Sequence, residues 1–443
     1  MSGGGIKPAR WRYLSALLLA MFAVSLAYGI VLPILPFLVE RLGRTSDSLT
    51  VAQHTGLLTA IYALGLFATA STWGRISDRR GRRPLLLLGL IGLSATLVVF
   101  AFEDGMLVLY LGRGMSGLFA SAVAPAAYAL IADEARSKEQ RARGFLFLNI
   151  AAMAGFLVGP MLGGLILRAT GELSPGTDET TVFRGLVLVT AGVALIAALI
   201  VWWLVPAGLP RTVDRTDTPD ARKARTTIVR LLVISFVTAM AVGAFEVGLA
   251  LLGKQTLGMD AFQIGMMFTE CSLVMFVAQA IIFSPIVKPE STRWLLTPGL
   301  AVLAVGLALT PFVTGFLPMA IAVGLVAASA GILSPVAAYW ISLGSGATQG
   351  EEIGRQTAAA SLGQVMGSAV GGLLFEVVIM PGASFILTAG IVVLAGLIAS
   401  VGLPRLLWMP DRNGMGIGVH AKSTVALPDD PAERAGAAMD NRA

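Results

Sequence analysis

The sequence predicts an all-α integral membrane protein of twelve transmembrane helices, arranged as two pseudo-symmetric six-helix bundles. Three observations predict it. Of 443 residues, 56% are hydrophobic and 13% charged, with a mean hydropathy of +0.80, outside the usual composition of soluble domains. The apolar residues also fall into segments near 14–36, 54–73, 84–102, 106–132, 144–167, 183–205, 229–252, 263–287, 294–313, 316–342, 356–379 and 382–404, each close to the ~20 residues that a bilayer crossing requires. Finally, features of the first six segments recur in the last six.

The recurrence is clearest in Gly155-Phe156-Leu157-Val158-Gly159-Pro160-Met161-Leu162-Gly163-Gly164. Its glycine spacing returns 208 residues later as Gly363, Gly367, Gly371 and Gly372, with Ser368 in the place of Pro160. In lipid no hydrophobic drive pulls helices together, so small residues four apart let backbones approach, and neighbouring helices absorb a proline bend. The turn Gly74–Pro84 aligns with Ser284–Trp294, and the pair Gly114 and Pro125 with Gly324 and Pro335, both 210 residues on. Matches in one order at nearly one offset are the mark of transporters built from repeats.

Charge placement sets the topology. With the N-terminus inside, 26 of the 32 Lys and Arg fall in inner loops and tails, and Arg113 lies within a span. That bias puts both termini in the cytoplasm and the chain in the cell membrane. The net charge of +6 is therefore a topology signal, and no nucleic-acid partner is expected. Met1–Tyr13 leads into a span too long for a signal peptide, so it is expected to be retained. The organisation read from this is an N-terminal half over 1–205, a polar cytoplasmic linker over 206–228, a C-terminal half over 229–409 and a disordered tail over 410–443. Cys271 is the single cysteine, and His54 and His420 are far apart in sequence. This argues against a disulfide, a metal site or a cofactor, and against a membrane enzyme, which would need a nucleophile with its base.

The first span carries Ser25, Tyr28, Gly29, Pro33 and Pro36, so its outer half is expected to bend. After the second span comes Gly74-Arg75-Ile76-Ser77-Asp78-Arg79-Arg80-Gly81-Arg82-Arg83-Pro84. Here the chain resembles the major facilitator superfamily, whose signature between spans 2 and 3 this turn matches at each key position. The resemblance covers nearly the whole chain. It implies a conformational latch of Gly74, Asp78, Arg79 or Arg82 and Gly81 with Asp133 and the start of span 11 near Gly354–Thr357. An orienting role for the arginines alone is the competing reading, which leaves Asp78 and the glycines unexplained.

Arg113 stands inside span 4. A buried arginine is expensive and faces the bundle interior or water, with snorkelling to the outer boundary as the alternative. The family's span-4 motif, which Arg113 matches, implies a part in proton transfer. The stretch Gly155, Gly159, Pro160, Gly163 and Gly164 resembles the motif of drug:proton antiporters within the superfamily, and it is expected to pack span 5 closely on a neighbour, span 8.

In the second half, Glu246 and Glu270 lie within apolar spans, with Met266, Met267, Leu273 and Val274 around Glu270. Sheltered carboxylates are candidate proton carriers. Proton coupling is therefore assigned to Glu246, Glu270 and Arg113, against the reading that either acid is paired or reaches outer water. Glu376 reads as interfacial. Tyr28, Tyr62, Asn149, Gln279, Tyr339, Trp340, Gln364 and Met366 are cavity candidates, each of which could equally be a packing residue.

These readings converge on a secondary active transporter, not an enzyme. It works by alternating access and exports lipophilic drug-like or metabolite substrates against protons, with an antibiotic-resistance role. Its expected partners are a small-molecule substrate, protons and the lipid bilayer, and the expected state is a monomer. The alternatives are an exporter of a single compound or an importer.

Overall fold

In the computed structural model, the described residues are 9–43, 47–102, 105–135, 138–173, 179–207, 221–282, 287, 289–344, 349–375 and 382–400. All regular structure among them is helical: α1 Ala9–Val31, α2 Leu35–Gly43, α3 Ser48–Arg80, α4 Arg82–Ala101, α5 Met106–Ala120, α6 Val123–Glu134, α7 Lys138–Leu173, α8 Glu179–Leu204, α9 Ala221–Leu251, α10 Ala261–Ile282, α11 Leu296–Leu309, α12 Phe316–Gly344, α13 Gln349–Leu373 and α14 Ala383–Ile391, with short 3₁₀ and π turns between or extending them. The part of the linker over 208–220, Glu376 and the tail over 410–443 lie outside the described residues.

Ten helical segments among the described residues are long and apolar enough to cross a membrane, and a shorter apolar segment runs over Ala383–Leu397. Two of the ten are pairs of helices. The chain breaks at 32–34, between α1 and α2, because Pro33 and Pro36 remove amide donors. It breaks again between α5 and α6, three residues before Pro125. Asp47 caps α3, its carboxylate accepting from the Thr50 amide at 3.0 Å, a common N-cap bond. The helix α13 falls outside the ten because its glycines, serines and glutamines dilute its hydropathy.

Two apolar clusters draw on residues between Ala16 and Val205. The largest draws on residues between Leu231 and Val392, with only Leu32 and Ala52 from earlier in the chain. The two stretches meet along two seams, α3 against α13 and α7 against α10. At the end opposite the Gly81 turn, Lys254 forms an ion pair with Glu40, and Gln255 Nε2 donates to the Ser48 carbonyl at 2.9 Å.

The glycines set these distances. A Cβ on Gly155 would lie 2.3 Å from the Phe22 carbonyl oxygen, and one on Gly159 2.8 Å from the Ile30 amide, so this face of α7 packs on α1. The seam expected with span 8 runs along the adjacent face, where the Pro160 carbonyl meets Gly265 of α10. Gly163 and Gly164 lie in α7 beyond the side chains the structure describes. In the second stretch, Gly363 and Gly367 bring α13 equally close to α9 at Phe236 and Met240.

Candidate functional site

A cavity of about 310 Å³ lies between the two stretches, walled by α1, α3, α7, α9, α10, α12 and α13. Tyr28, Tyr62, Asn149, Gln279 and Gln364 line it, together with Glu246. Most of the remaining wall is apolar, including Phe156, Phe245 and Phe268, with Phe156 and Phe268 edge to face at 6.3 Å. An apolar wall with a few convergent polar groups is the usual make-up of a small-molecule site.

The polar groups form one linked set. The Tyr28 hydroxyl donates to Glu246 Oε2 at 2.6 Å. Gln364 Nε2 donates to the Tyr28 hydroxyl oxygen at 2.7 Å and to Glu246 Oε2 at 3.3 Å. The Tyr28 and Tyr62 rings stack at 4.8 Å. The Arg113 guanidinium lies over both rings, 4.6 Å from the Tyr62 centroid and 5.5 Å from the Tyr28 centroid. Glu246 is 7% exposed and Arg113 3%, so Arg113 faces the interior and does not snorkel. Burying one charge alone costs several kcal/mol. Here the two opposite charges share the aromatic pair, which gives the cation a favourable ring face and the carboxylate two donors.

The other predicted residues are distributed as follows. Glu270 is half-buried on α10, on the stripe that carries exposed Met266, Leu273 and Val277, and it does not line the cavity. On α12, Val326, Ala330 and Ser334 reach the cavity, and helical rotation turns Tyr339 and Trp340 off that face. Trp340 Nε1 donates to Thr292 Oγ1 at 3.1 Å. Met366 is exposed. The Asn149 amide is occupied by Tyr128 and the Phe145 carbonyl. Buried Gln279 has no protein partner for its Oε1 among the described residues. Sequence reasoning passed over Phe156, Phe245, Phe268 and Ser334 as cavity residues. Polar Ser272 and Gln279 at helical spacing with Phe268 were the available signal for one wall.

At the turn, Arg82 Nε donates to Asp133 at 3.0 Å, Nη1 donates to Ser77 Oγ at 3.0 Å, and the same Nη1 forms an ion pair with Asp78. Gly74 is buried on α3, and Gly81 links α3 to α4 at φ +93°, a conformation open to glycine. Arg79 is exposed. The start of α13 reaches the same end of the molecule. A Cβ on Gly354 would lie 3.1 Å from the Ala70 carbonyl, and Ile353 packs with Ala132 and Phe145.

A helical membrane protein with a central polar-and-aromatic cavity between two packed stretches has the form of a transporter. Residues 17–289 match the Major Facilitator Superfamily model, and the chain belongs to that superfamily. It is 25% identical over 407 residues to Multidrug resistance protein 2 of Bacillus subtilis (strain 168), covering 90% of this chain and 95% of that one. It is 31% identical over 326 residues to the class C tetracycline resistance protein of Escherichia coli, covering 72% and 79%. The fold is similar to that of the human organic anion transporter MFSD10, with a TM-score of 0.71 at 20% identity over 91% of this chain and 100% of that one.

Proposed function

We propose that this transporter expels lipophilic drug-like or metabolite compounds in exchange for protons. In this reading twelve spans form two six-helix halves, 1–205 and 229–409. They are joined by the cytoplasmic linker 206–228 and followed by the tail 410–443, with both termini in the cytoplasm and the chain acting as a monomer in the cell membrane. The separation of the apolar clusters between the two stretches supports the halves. The resistance roles named for the relatives support efflux.

One observation carries the mechanism: Glu246, the only carboxylate of the cavity wall among the described residues, is hydrogen-bonded to Tyr28, whose ring also bears Arg113. A proton on Glu246 cancels the charge that a cationic or donor-rich substrate would pair with, so proton and substrate compete for one group. Proton entry from outside discharges the substrate, and substrate entry from the cytoplasm displaces the proton. Rocking of the halves exposes the cavity alternately, and the Asp78–Arg82–Asp133 cluster with the start of α13 acts as the latch. The coupling set is Glu246 with Arg113; Glu270, on the exposed stripe, stays outside it in our reading.

The test uses proteoliposomes with an imposed pH gradient and three probes: tetraphenylphosphonium, tetracycline and a quinolone. The expected result is gradient-driven efflux of more than one probe, abolished by Glu246→Gln. Full gradient-driven efflux by Glu246→Gln would overturn the coupling assignment. An exporter dedicated to one compound is the second reading, favoured by a cavity volume at the low end for drug-sized ligands. Efflux of a single probe would select it.

A further inference from the structure

Arg113 is buried, and its Nε and Nη2 have no hydrogen-bond partner among the described residues. Against it lies a second cavity of about 10 Å³, lined also by Ser116, Tyr28, Tyr62, Leu97 and Phe100. A third cavity, about 20 Å³, opens at Arg41, Gly105 and Arg184, at the end opposite the Gly81 turn, and Phe100 bounds it too. Phe100 is thus a wall that the two cavities share. It is wedged edge to face on Phe183 at 5.9 Å and against Gly112, where a Cβ would lie 2.8 Å from Phe100 Cδ2. A water molecule needs about 10–15 Å³ and two or more polar partners. Buried donors of a charged group are costly to leave unpaired, so the cavity beside Arg113 suits a single water.

We propose that protons reach Glu246 through this passage in the first stretch, separate from the substrate cavity, with the Phe100 ring as its gate. The inference rests on the proton-coupled reading above. The charged or titratable groups around Glu246 are Tyr28 from α1, Tyr62 from α3, Arg113 from α5 and Cys271 from α10. A protonated water beside Tyr28 gives its proton to the hydroxyl oxygen as that hydroxyl passes its own proton to Glu246 Oε2. Tyrosine is left unchanged, the carboxyl becomes neutral and the water is restored. The fixed charge of Arg113 opposes a free hydronium in the passage. Entry is therefore favourable only while Glu246 is ionised, and a neutral Glu246 leaves Arg113 to close the route behind the proton. A passage one water wide also excludes the substrate, so the two ligands of Glu246 arrive from different directions.

The test compares Phe100→Ala and Phe100→Trp with wild type in proteoliposomes carrying an internal pH dye, with thermal melting in detergent as the check on folding. Phe100→Ala should raise substrate-independent proton influx about tenfold. Phe100→Trp should lower tetraphenylphosphonium-coupled proton influx about tenfold while leaving its binding within twofold. Proton fluxes within twofold of wild type in both folded variants would overturn the passage. A second arm follows the oxidative labelling of Leu97 by hydroxyl radicals generated from water by X-ray radiolysis, which needs no substrate and no probe larger than water. Labelling should be faster with Phe100→Ala and slower with Phe100→Trp, and a rate indifferent to residue 100 would overturn the passage. A wild type without coupled proton flux but with gated labelling would sink the antiport reading and leave the water route standing.

Discussion

The carbonyl oxygen of Pro160 lies 2.8 Å from where a Cβ on Gly265 would sit, and the Ser368 carbonyl stands 2.7 Å from the same point on Gly56. Pro160 and Ser368 are 208 residues apart, and Gly56 and Gly265 are 209 apart. The two seams between the stretches thus use one contact twice, with a carbonyl from a glycine-rich helix set against a glycine of its neighbour.

Glycines in these contacts should tolerate no side chain. A Cβ on Gly367 would come within 1.9 Å of the Met240 carbonyl, so Gly367→Ala must separate α13 from α9, at about 1–3 kcal/mol or more. At Gly324 nothing lies within 4 Å, and Gly324→Ala should be neutral or stabilise by up to about 1 kcal/mol. Thermal midpoints in detergent compare the two directly. Equal midpoints would remove the close-approach explanation.

Tyr28→Phe keeps the ring under Arg113 and deletes the bond to Glu246. A hydrogen bond to a charged group contributes about 1.5–3 kcal/mol, so proton-driven efflux should fall by about 10- to 100-fold. Tyr62→Phe should have less effect, because among the described residues its hydroxyl makes no hydrogen bond to Glu246. Initial efflux rates under a fixed gradient give the comparison, and equal losses in both variants would count against the Tyr28 assignment.

The cluster at the turn should control rate more than affinity. Arg82 joins α3 to α6 through Asp78 and Asp133, and partly exposed pairs of this kind are worth about 1 kcal/mol or less each. Asp78→Asn and Asp133→Asn should each slow turnover by up to about fivefold, with substrate binding close to wild type. A binding defect with normal turnover would remove the latch from the mechanism.

At the opposite end, Glu40 and Lys254 hold the two stretches together. Cysteines placed at 40 and 254 in a Cys271→Ser background should be bridged by a bis-methanethiosulfonate cross-linker, which reaches across the ion-pair distance, and the bridge should arrest efflux, with reductant restoring it. Continued efflux by fully cross-linked protein would show that this contact need not open.

The cap at Asp47 gives a pH-dependent marker outside the membrane. Hydrogen bonds from the Thr50 hydroxyl and amide hold its carboxyl below the usual carboxylate range. A depressed carboxylate contributes stability above its unfolded value, about 3.9, and that contribution is lost as pH falls through the lower folded value. The protection of the Thr50 amide, its exchange rate taken relative to the intrinsic rate at the same pH, should fall at that acid limit, and Asp47→Ala should show the lower protection already at neutral pH.

Much of the architecture was legible in the sequence because lipid imposes length and composition on each crossing. Proline marked the break in the first span since it lacks an amide donor. The orientation of faces was harder to read. Glu246 and Glu270 have similarly apolar neighbours, yet those of Glu246 wall a cavity and several around Glu270 are exposed. Lipid tails are as apolar as leucine, so hydrophobicity does not tell a packed face from a lipid-facing one. The same ambiguity assigned Gly155 and Gly159 of α7 to α10 when they meet α1, and kept Tyr339 and Trp340 among the cavity residues. At the turn, the motif left Arg79 and Arg82 as equals, and only the path of the chain through Gly81 gave the ion pairs to Arg82.

The Tyr28–Glu246 bond joins a side chain from before the linker to one from after it. Any swing that parts the two must sever this tether, and any ligand that occupies the carboxylate loosens it. Helix posture and carboxylate occupancy are then one variable with two readouts, so that no long-distance messenger between them is required.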